Sequence, residues 1–257
     1  MKKALSIIIP IHNEEAILHR QVFALLTQLE NSLTIPYEIV LVENGSTDRT
    51  KSLVTILATY SEHIRVVSLR HASYGAAVRK GLQQARYPIV AQFDIDFWDV
   101  AFLRRAMTLI SRYDVVIGSK NIPGAVDERP FTRRLTSKLF EYCIGVRFNL
   151  PIKDTHGMKV LLRKKMLPLI DVVVSPNHFF DTELLIQAFY AGCSWIELPV
   201  VIHEIRKSRF PFRKRFFQVL REGCTLFMRP LGLPTFSKAW NFRLFSSVSI
   251  FQFIIDL

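Results

Sequence analysis

Apolar, β-branched runs recur about every 25 residues through the first half of the chain, each followed by an amphipathic stretch, and no other feature constrains the fold so tightly. Residues 5–10 (LSIIIP), 37–42 (YEIVLV), 64–69 (IRVVSL), 89–93 (IVAQF) and 114–118 (DVVIG) read as strands. Between the first two, residues 14–30 carry an apolar stripe of Ala16, Ile17, Val22, Phe23, Leu25, Leu26 and Leu29. Comparable helical patterns run from Ser46 to Thr59 and from about Gly75 to Ala85, and another runs through Leu103, Met107 and Ile110. Alternation of this kind predicts an α/β fold with a mostly parallel sheet, and such sheets bind ligands beyond the carboxyl ends of their strands.

After Gly118 the rhythm loosens. The spacing predicts a helix from residue 131 to about 144, a strand at 159–162, a helix over 180–191 closed by Gly192, and a strand over 195–202 despite Pro199. No internal repeat or low-complexity linker interrupts the chain, so one compact domain with a C-terminal appendage is expected.

Composition sharpens this. With 257 residues, 49% of them hydrophobic, the chain has ample core and is not a disordered sequence. Cys143, Cys193 and Cys224 are far apart with no CxxC pair, which argues against a disulfide framework or a cysteine zinc site and for a reducing compartment. The longest uncharged apolar stretch, residues 244–255, is shorter than the roughly 18–20 residues of a spanning helix. The Met-Lys-Lys start resembles a signal peptide, but residues 12–15 (HNEE) interrupt the apolar run, so it reads as part of the fold. The net charge of +12 is uneven: residues 203–243 carry +8 of it, and ten of the 20 phenylalanines lie from Phe210 onward. A polyanion, a phosphate ligand or an acidic membrane surface would suit such a chain. A nucleic-acid-binding protein is the competing class; it is disfavoured because RRM, KH and helix-turn-helix signatures are absent.

Chemistry concentrates at the strand ends. Asp94 and Asp96 follow the fourth strand, and in extended backbone residues i and i+2 point to one side, a pairing that suits Mg²⁺ or Mn²⁺. The first strand ends in Pro10, His12, Asn13 and Glu14, the second in Glu43, Asn44, Ser46 and Asp48, all able to meet a base and ribose. The same residues suit capping, with Asn13 and Ser46 as N-caps and Glu14 and Asp48 complementing helix dipoles, and both readings stay open. Gly75 opens a small-residue helix start that can receive phosphate, with Arg79 nearby, although neither a Walker loop nor GxGxxG is present.

In order and spacing, residues 5–15 (LSIIIPIHNEE), 38–50 (EIVLVENGSTDRT), 74–82 (YGAAVRKGL) and 93–99 (FDIDFWD) resemble family 2 glycosyltransferases of the GT-A fold. Residues 118–120 (GSK), Arg129, residues 133–137, 154–159 (DTHGMK), 180–183 (FDTE) and 197–200 (ELPV) are similar to the polyprenyl- and dolichyl-phosphate sugar synthases. The resemblance spans about residues 5–209. It implies a Rossmann-like central sheet, a nucleotide-sugar half at about 1–118, an acceptor half at about 119–209, and a basic, phenylalanine-rich membrane-associating segment at 210–257. It further implies transfer of a sugar, with inversion, from a UDP- or GDP-sugar to a lipid phosphate at the cytoplasmic membrane face. Pro10, His12, Asn13, Glu14, Glu43, Asn44, Ser46, Gly75 and Arg79 would form the nucleotide pocket, and Asp94 and Asp96 the diphosphate-metal site. Lys120, Arg129, Arg133, Ser137, Lys159, Arg206, Lys207 and Arg209 would hold the acceptor phosphate. The chain departs from the family pattern at Glu43, where Asp is usual; at Trp98, where Gln is common as a metal ligand, leaving Asp99 as a substitute; and at residues 155–159.

A phosphate acceptor is already anionic at pH 7 and needs little general-base help, whereas a sugar or protein hydroxyl acceptor would require a base such as Glu183. Asp181 could position a lysine or cap its helix. Residues 210–227 interleave phenylalanines with arginines in the manner of a helix lying on anionic lipid. The sequence leaves the oligomeric state open.

Overall fold

The computed structural model describes residues 3–177, 179–202, 222, 223, 226 and 227. The β-branched runs form β1 (Leu5–Ile11), β2 (Tyr37–Asn44), β3 (Ile64–Leu69), β4 (Ile89–Gln92) and β5 (Val115–Ser119). Between them lie α1 (Leu18–Ser32), α2 (Thr50–Tyr60), α3 (Tyr74–Gln84) and α4 (Val100–Leu109). Then follow β6 (Val126–Asp127), α5 (Phe131–Phe148), β7 (Lys159–Leu162), α6 (Arg163–Ile170), α7 (Phe180–Tyr190), β8 (Trp195–Pro199) and β9 (Val201–Ile202). Beyond the expected elements are α6, which holds Pro168 inside it, and β6; the strand expected over 195–202 is split into β8 and β9, and β9 pairs with β6. Helix α5 extends four residues past the expected end, closed by Asn149 in a left-handed conformation.

The main sheet runs β3-β2-β1-β4-β7-β5-β8, and every neighbouring pair is parallel except the two made by β7. Strand β1 lies inside it, in register with β2 from Leu5↔Tyr37 to Ile11↔Glu43 and with β4 from Leu5↔Ile89 to Ile8↔Gln92. That position explains its nearly unbroken apolar run, since both faces are covered. Leu5, Ile7, Ile9 and Ile11 enter one core layer with α1 and α4; Ile8 enters the other with α3, α5, α6 and α7.

Two features direct ligands to one edge. The chain builds β1, β2 and β3 outward and then crosses back to place β4 on the other side of β1, which opens a crevice at their carboxyl ends. Antiparallel β7 begins at that edge, because Lys159 is paired with both Gln92 and Ile117. The loop before it therefore joins the strand ends, and the contact there is close: a Cβ on Gly157 would overlap the Gly118 carbonyl oxygen.

At the opposite edge, Glu38 ties three strands together. It accepts from Ser6 Oγ (2.7 Å), Arg65 (2.7 Å) and the Arg86 N–H (2.7 Å). Burial opposes its ionisation, but the bonds from Ser6, Arg65 and Arg86 outweigh burial and hold its pKa below the usual 4.5. A depressed carboxylate pKa contributes stability that is complete above the unfolded value and lost as pH falls through the folded one. Glu38→Gln should therefore cost about 1–3 kcal/mol at pH 7 in denaturant unfolding. The gap between variant and parent should narrow below pH 4.5.

Candidate active site

The loops after β1 and β2 are laced together. Asn13 takes a positive φ of 54°, which asparagine tolerates better than most residues. Its N–H donates to Ser46 Oγ (3.1 Å), and its side-chain oxygen accepts from the Thr47 N–H (2.8 Å). The Glu14 N–H donates to Thr50 Oγ1 (2.7 Å), and the Glu15 carboxylate accepts from the Arg49 N–H (3.0 Å) and Nε (3.2 Å). Buried Glu43 accepts from the Ser46 N–H (2.6 Å), and the Asn44 side chain accepts from the Ser73 N–H (2.8 Å). His12 Nδ1 lies 2.8 Å from the Asn44 carbonyl oxygen, so Nδ1 carries the proton there. Pro10 is half-buried in β1 beside Val42. Asn13 and Ser46 thus bind across the two loops and are not N-caps: the helices begin later, behind Ile17 and Arg49, with no side-chain cap.

Asp94 and Asp96 occupy a tight turn, not an extended strand end. The Asp94 N–H donates to the Phe97 carbonyl (3.3 Å) and the Phe97 N–H to the Asp94 carbonyl (3.0 Å). Ile95, 2% exposed, anchors the turn in the core, while both acids keep partial exposure. Burial, then the charges of Asp96 and Asp181, push Asp94 up to about 7 against weaker pulls from Lys159 and His156. Asp99 does not join them: it caps α4, accepting from the Ala101 (2.7 Å) and Phe102 (3.0 Å) N–H groups. Trp98 donates to Gln21 on α1 (3.1 Å).

Beneath the turn lies a buried polar network. Lys159 Nζ donates to the Gly157 carbonyl (2.7 Å) and to Asp181 Oδ2 (3.2 Å). Gln92 Nε2 donates to Asp181 Oδ1 (2.8 Å) and to the Tyr74 hydroxyl (3.0 Å), which in turn donates to Asp181 (2.9 Å). Gln92 Oε1 is buried with no hydrogen-bond partner. Burial, then the charges of Asp181 and Asp94, push Tyr74 well above its usual value, so it stays a neutral donor. Tyr74, Gln92, Asp94, Phe97, His156 and Asp181 line a small cleft. The acceptor role expected of Lys159 does not match this placement, since its side chain is fully buried at the centre of three strands.

The next strand end is held by acids. Lys120 donates from Nζ to Asp154 Oδ1 (2.5 Å) and from its backbone N–H to Oδ2 (3.0 Å). Burial would raise the Asp154 pKa, but the Lys120 ammonium holds it below the usual range. Glu141, buried on α5, accepts from the Thr155 N–H (3.0 Å), and the Thr155 hydroxyl meets that of Thr182 (2.8 Å). Arg129 forks onto Asp127 through two 2.8 Å bonds and reaches Ser137 Oγ at 3.4 Å. Arg133 is half-buried on the first turn of α5.

Three expected residues have other positions. Glu183 accepts from the Val174 (3.1 Å) and Ser175 (2.8 Å) N–H groups, one on each carboxylate oxygen. Arg79 points away from the cleft, donating to the Ile170 (3.0 Å) and Val173 (2.6 Å) carbonyls. The α3 N-terminus is already filled: the Gly75 N–H donates to the Pro176 carbonyl (2.8 Å) and the Tyr74 N–H to Asn177 (3.3 Å). A Cβ on Gly75 would collide with Phe180 and Pro176, so this glycine serves packing. Arg206, Lys207 and Arg209 lie outside the described residues, as does 210–257 apart from residues 222, 223, 226 and 227. Sequence reasoning missed Gln92, Tyr74 and Glu141; the trace of Gln92 was a lone amide within an otherwise apolar strand. Among the described residues, no group of three or more His, Cys, Asp or Glu is arranged to hold a metal.

A family model described as Glycosyl transferase family 2 matches residues 6–169. Glycosyltransferase AglD of Haloferax volcanii is 28% identical over 203 residues, covering 76% of this chain; the chain spans only 32% of that protein's length. A dolichyl-phosphate beta-glucosyltransferase of Dictyostelium discoideum is 28% identical over 226 residues, 81% of this chain and 69% of the relative. Among solved structures, glucosyl-3-phosphoglycerate synthase of Mycobacterium tuberculosis with Mn²⁺, UDP and glucosyl-3-phosphoglycerate superposes with a TM-score of 0.66 at 17% identity. The match covers 89% of this chain and 81% of that one, a likeness of fold.

The Lys159–Asp181 pair permits a decisive stability test. Asp181→Ala strands a buried ammonium and should cost about 3–5 kcal/mol in denaturant unfolding, whereas Lys159→Met combined with Asp181→Leu should recover most of that loss.

Proposed function

The chain belongs to glycosyl transferase family 2, and on that premise we propose that it moves a sugar from a UDP- or GDP-sugar to a polyprenyl phosphate of the dolichyl type. The transfer proceeds with inversion at the cytoplasmic face of a membrane to which the protein is peripherally bound. Glu183 carries this reading. A hydroxyl acceptor needs a base, and this carboxylate, 3% exposed, is engaged on both oxygens by backbone N–H groups. A phosphate monoester needs none, because it arrives as an anion. The dolichyl-phosphate glucosyltransferase relatives support the same acceptor. Among the described residues, no helix is long and apolar enough to cross a membrane.

Asp94 and Asp96 would hold Mg²⁺ or Mn²⁺, and the site fits the ion. Among the described residues, no donor reaches the Asp94 carboxylate, and Asp96 and Asp181 repel its charge. When bound, the cation neutralises the departing nucleoside diphosphate. The laced loops at Pro10, His12, Asn13, Glu14, Glu43, Asn44 and Ser46 receive the nucleoside. Lys120, Arg129, Arg133 and Ser137, joined by Arg206, Lys207 and Arg209, receive the acceptor phosphate. Asp154 and Asp127 fix two of those cations in place before substrate arrives. A phosphate oxygen then bonds to the anomeric carbon as the bond from that carbon to the diphosphate breaks. Lys159 takes part as a positioning residue, through Asp181 beneath the Asp94 turn.

Two outcomes test the proposal. With labelled UDP-glucose or GDP-mannose, product should pass into the organic phase only when polyprenyl phosphate is supplied. Efficient transfer to 3-phosphoglycerate or a free sugar, with none to the lipid, would overturn it. Asp94→Asn should lower transfer about a thousandfold. Measured without metal at pH 8, it should nevertheless stabilise the fold by about 1–3 kcal/mol, because it removes a charge that its surroundings oppose.

A further inference from the structure

Helix α5 has two apolar faces. The inner one, with Ile144 and Phe148, is buried in the core. The outer one is open: Phe131, Leu135, Leu139, Tyr142 and Val146 are 68, 55, 44, 70 and 60% exposed. Steps of four, four, three and four residues place them on one stripe, about 22 Å long at the helical rise. Exposed apolar residues scattered singly are ordinary, but a stripe along a whole helix marks a docking surface.

The charges beside the stripe identify its partner. The exposed charged residues of α5 are Arg134, Lys138 and Arg147, all cationic, and its one acid, Glu141, is buried against Thr155. The Arg134 guanidinium lies 5.9 Å from the Phe131 ring, at the border of the stripe. We propose that α5 lies on an anionic lipid bilayer, with these five side chains entering the boundary between headgroups and acyl chains. A second copy of the helix would bring like charges together. Residues 203–243 carry +8, the same sign as this face, and where Phe227 meets α5 it touches Arg147 and Phe148, neither of which belongs to the stripe. The inference rests on the lipid-phosphate reading and deepens it: the helix that carries Arg133 and Ser137 would lie at the depth of a lipid-borne phosphate.

The test uses the full chain and vesicles of phosphatidylcholine with or without phosphatidylglycerol, lacking any polyprenyl phosphate. Leu135→Gln combined with Leu139→Gln should weaken binding to the anionic vesicles about tenfold, with thermal stability and UDP binding unchanged. Tyr142→Trp should gain emission that brominated acyl chains quench only when phosphatidylglycerol is present, read as the difference from the parent. Parental binding by the double variant, or no quenching at Trp position 142, overturns the proposal. So does shielding of that position from acrylamide before vesicles are added, which would show that the chain itself covers it, or a dimer that the double variant dissolves. Sugar transfer to detergent-dispersed polyprenyl phosphate is measured separately. Lost docking with transfer intact refutes only the bilayer contact; docking without transfer refutes only the acceptor reading.

Discussion

The ion pair between Lys159 and Asp181 is the contact on which the site depends. A full ammonium lies at the centre of the sheet with no exposed surface, and it is tolerable there only because Asp181 and the Gly157 carbonyl receive its protons. Removing either partner leaves a bare charge in low dielectric, so the fold must bring α7 against β7 and β4 in one arrangement. Gln92 and Tyr74 complete the shell around Asp181, and the cleft beneath Asp94 takes its shape from these groups.

Electrostatics around Lys120 and Arg129 follow a related pattern. Lys120 and Arg129 each have a dedicated carboxylate, so their positions are set while much of their charge is balanced. Asp94 is the opposite case, an acid among acids, and Lys159, the cation that favours its charge most, already serves Asp181. The two arrangements suit the different tasks proposed for them, since an anion approaching the cations needs geometry while a cation approaching Asp94 needs an unmet charge.

Much of this was legible in the sequence, and the boundary has a physical cause. The β-branched runs and intervening apolar stripes located β1 to β5 and their helices because a covered parallel sheet requires that periodicity. The strand-end polar residues were legible for the same reason, since their positions follow from topology. Long-range partners were not: the α3 N-terminus looked open at Gly75, yet Pro176 and Asn177, a hundred residues later in the chain, fill it. Lys159 and Glu183 illustrate the same limit. Their charges suggested solvent and substrate, and only the register of β7 and the loop before α7 showed that both are buried and bound. Ile95 had a similar effect, drawing an expected extended DxD segment into a turn.

The cross-linked loops after β1 and β2 have a consequence for how the pocket could change over time. Asn13 depends on Ser46 and Thr47, Glu14 on Thr50, and Glu15 on Arg49, so neither segment can drift alone without orphaning donors in the other. In the nucleoside-binding role proposed for these loops, a new base preference would therefore be gained through compensated pairs of substitutions, one in each segment, and lineages that changed only one would lose the pocket before acquiring a different one.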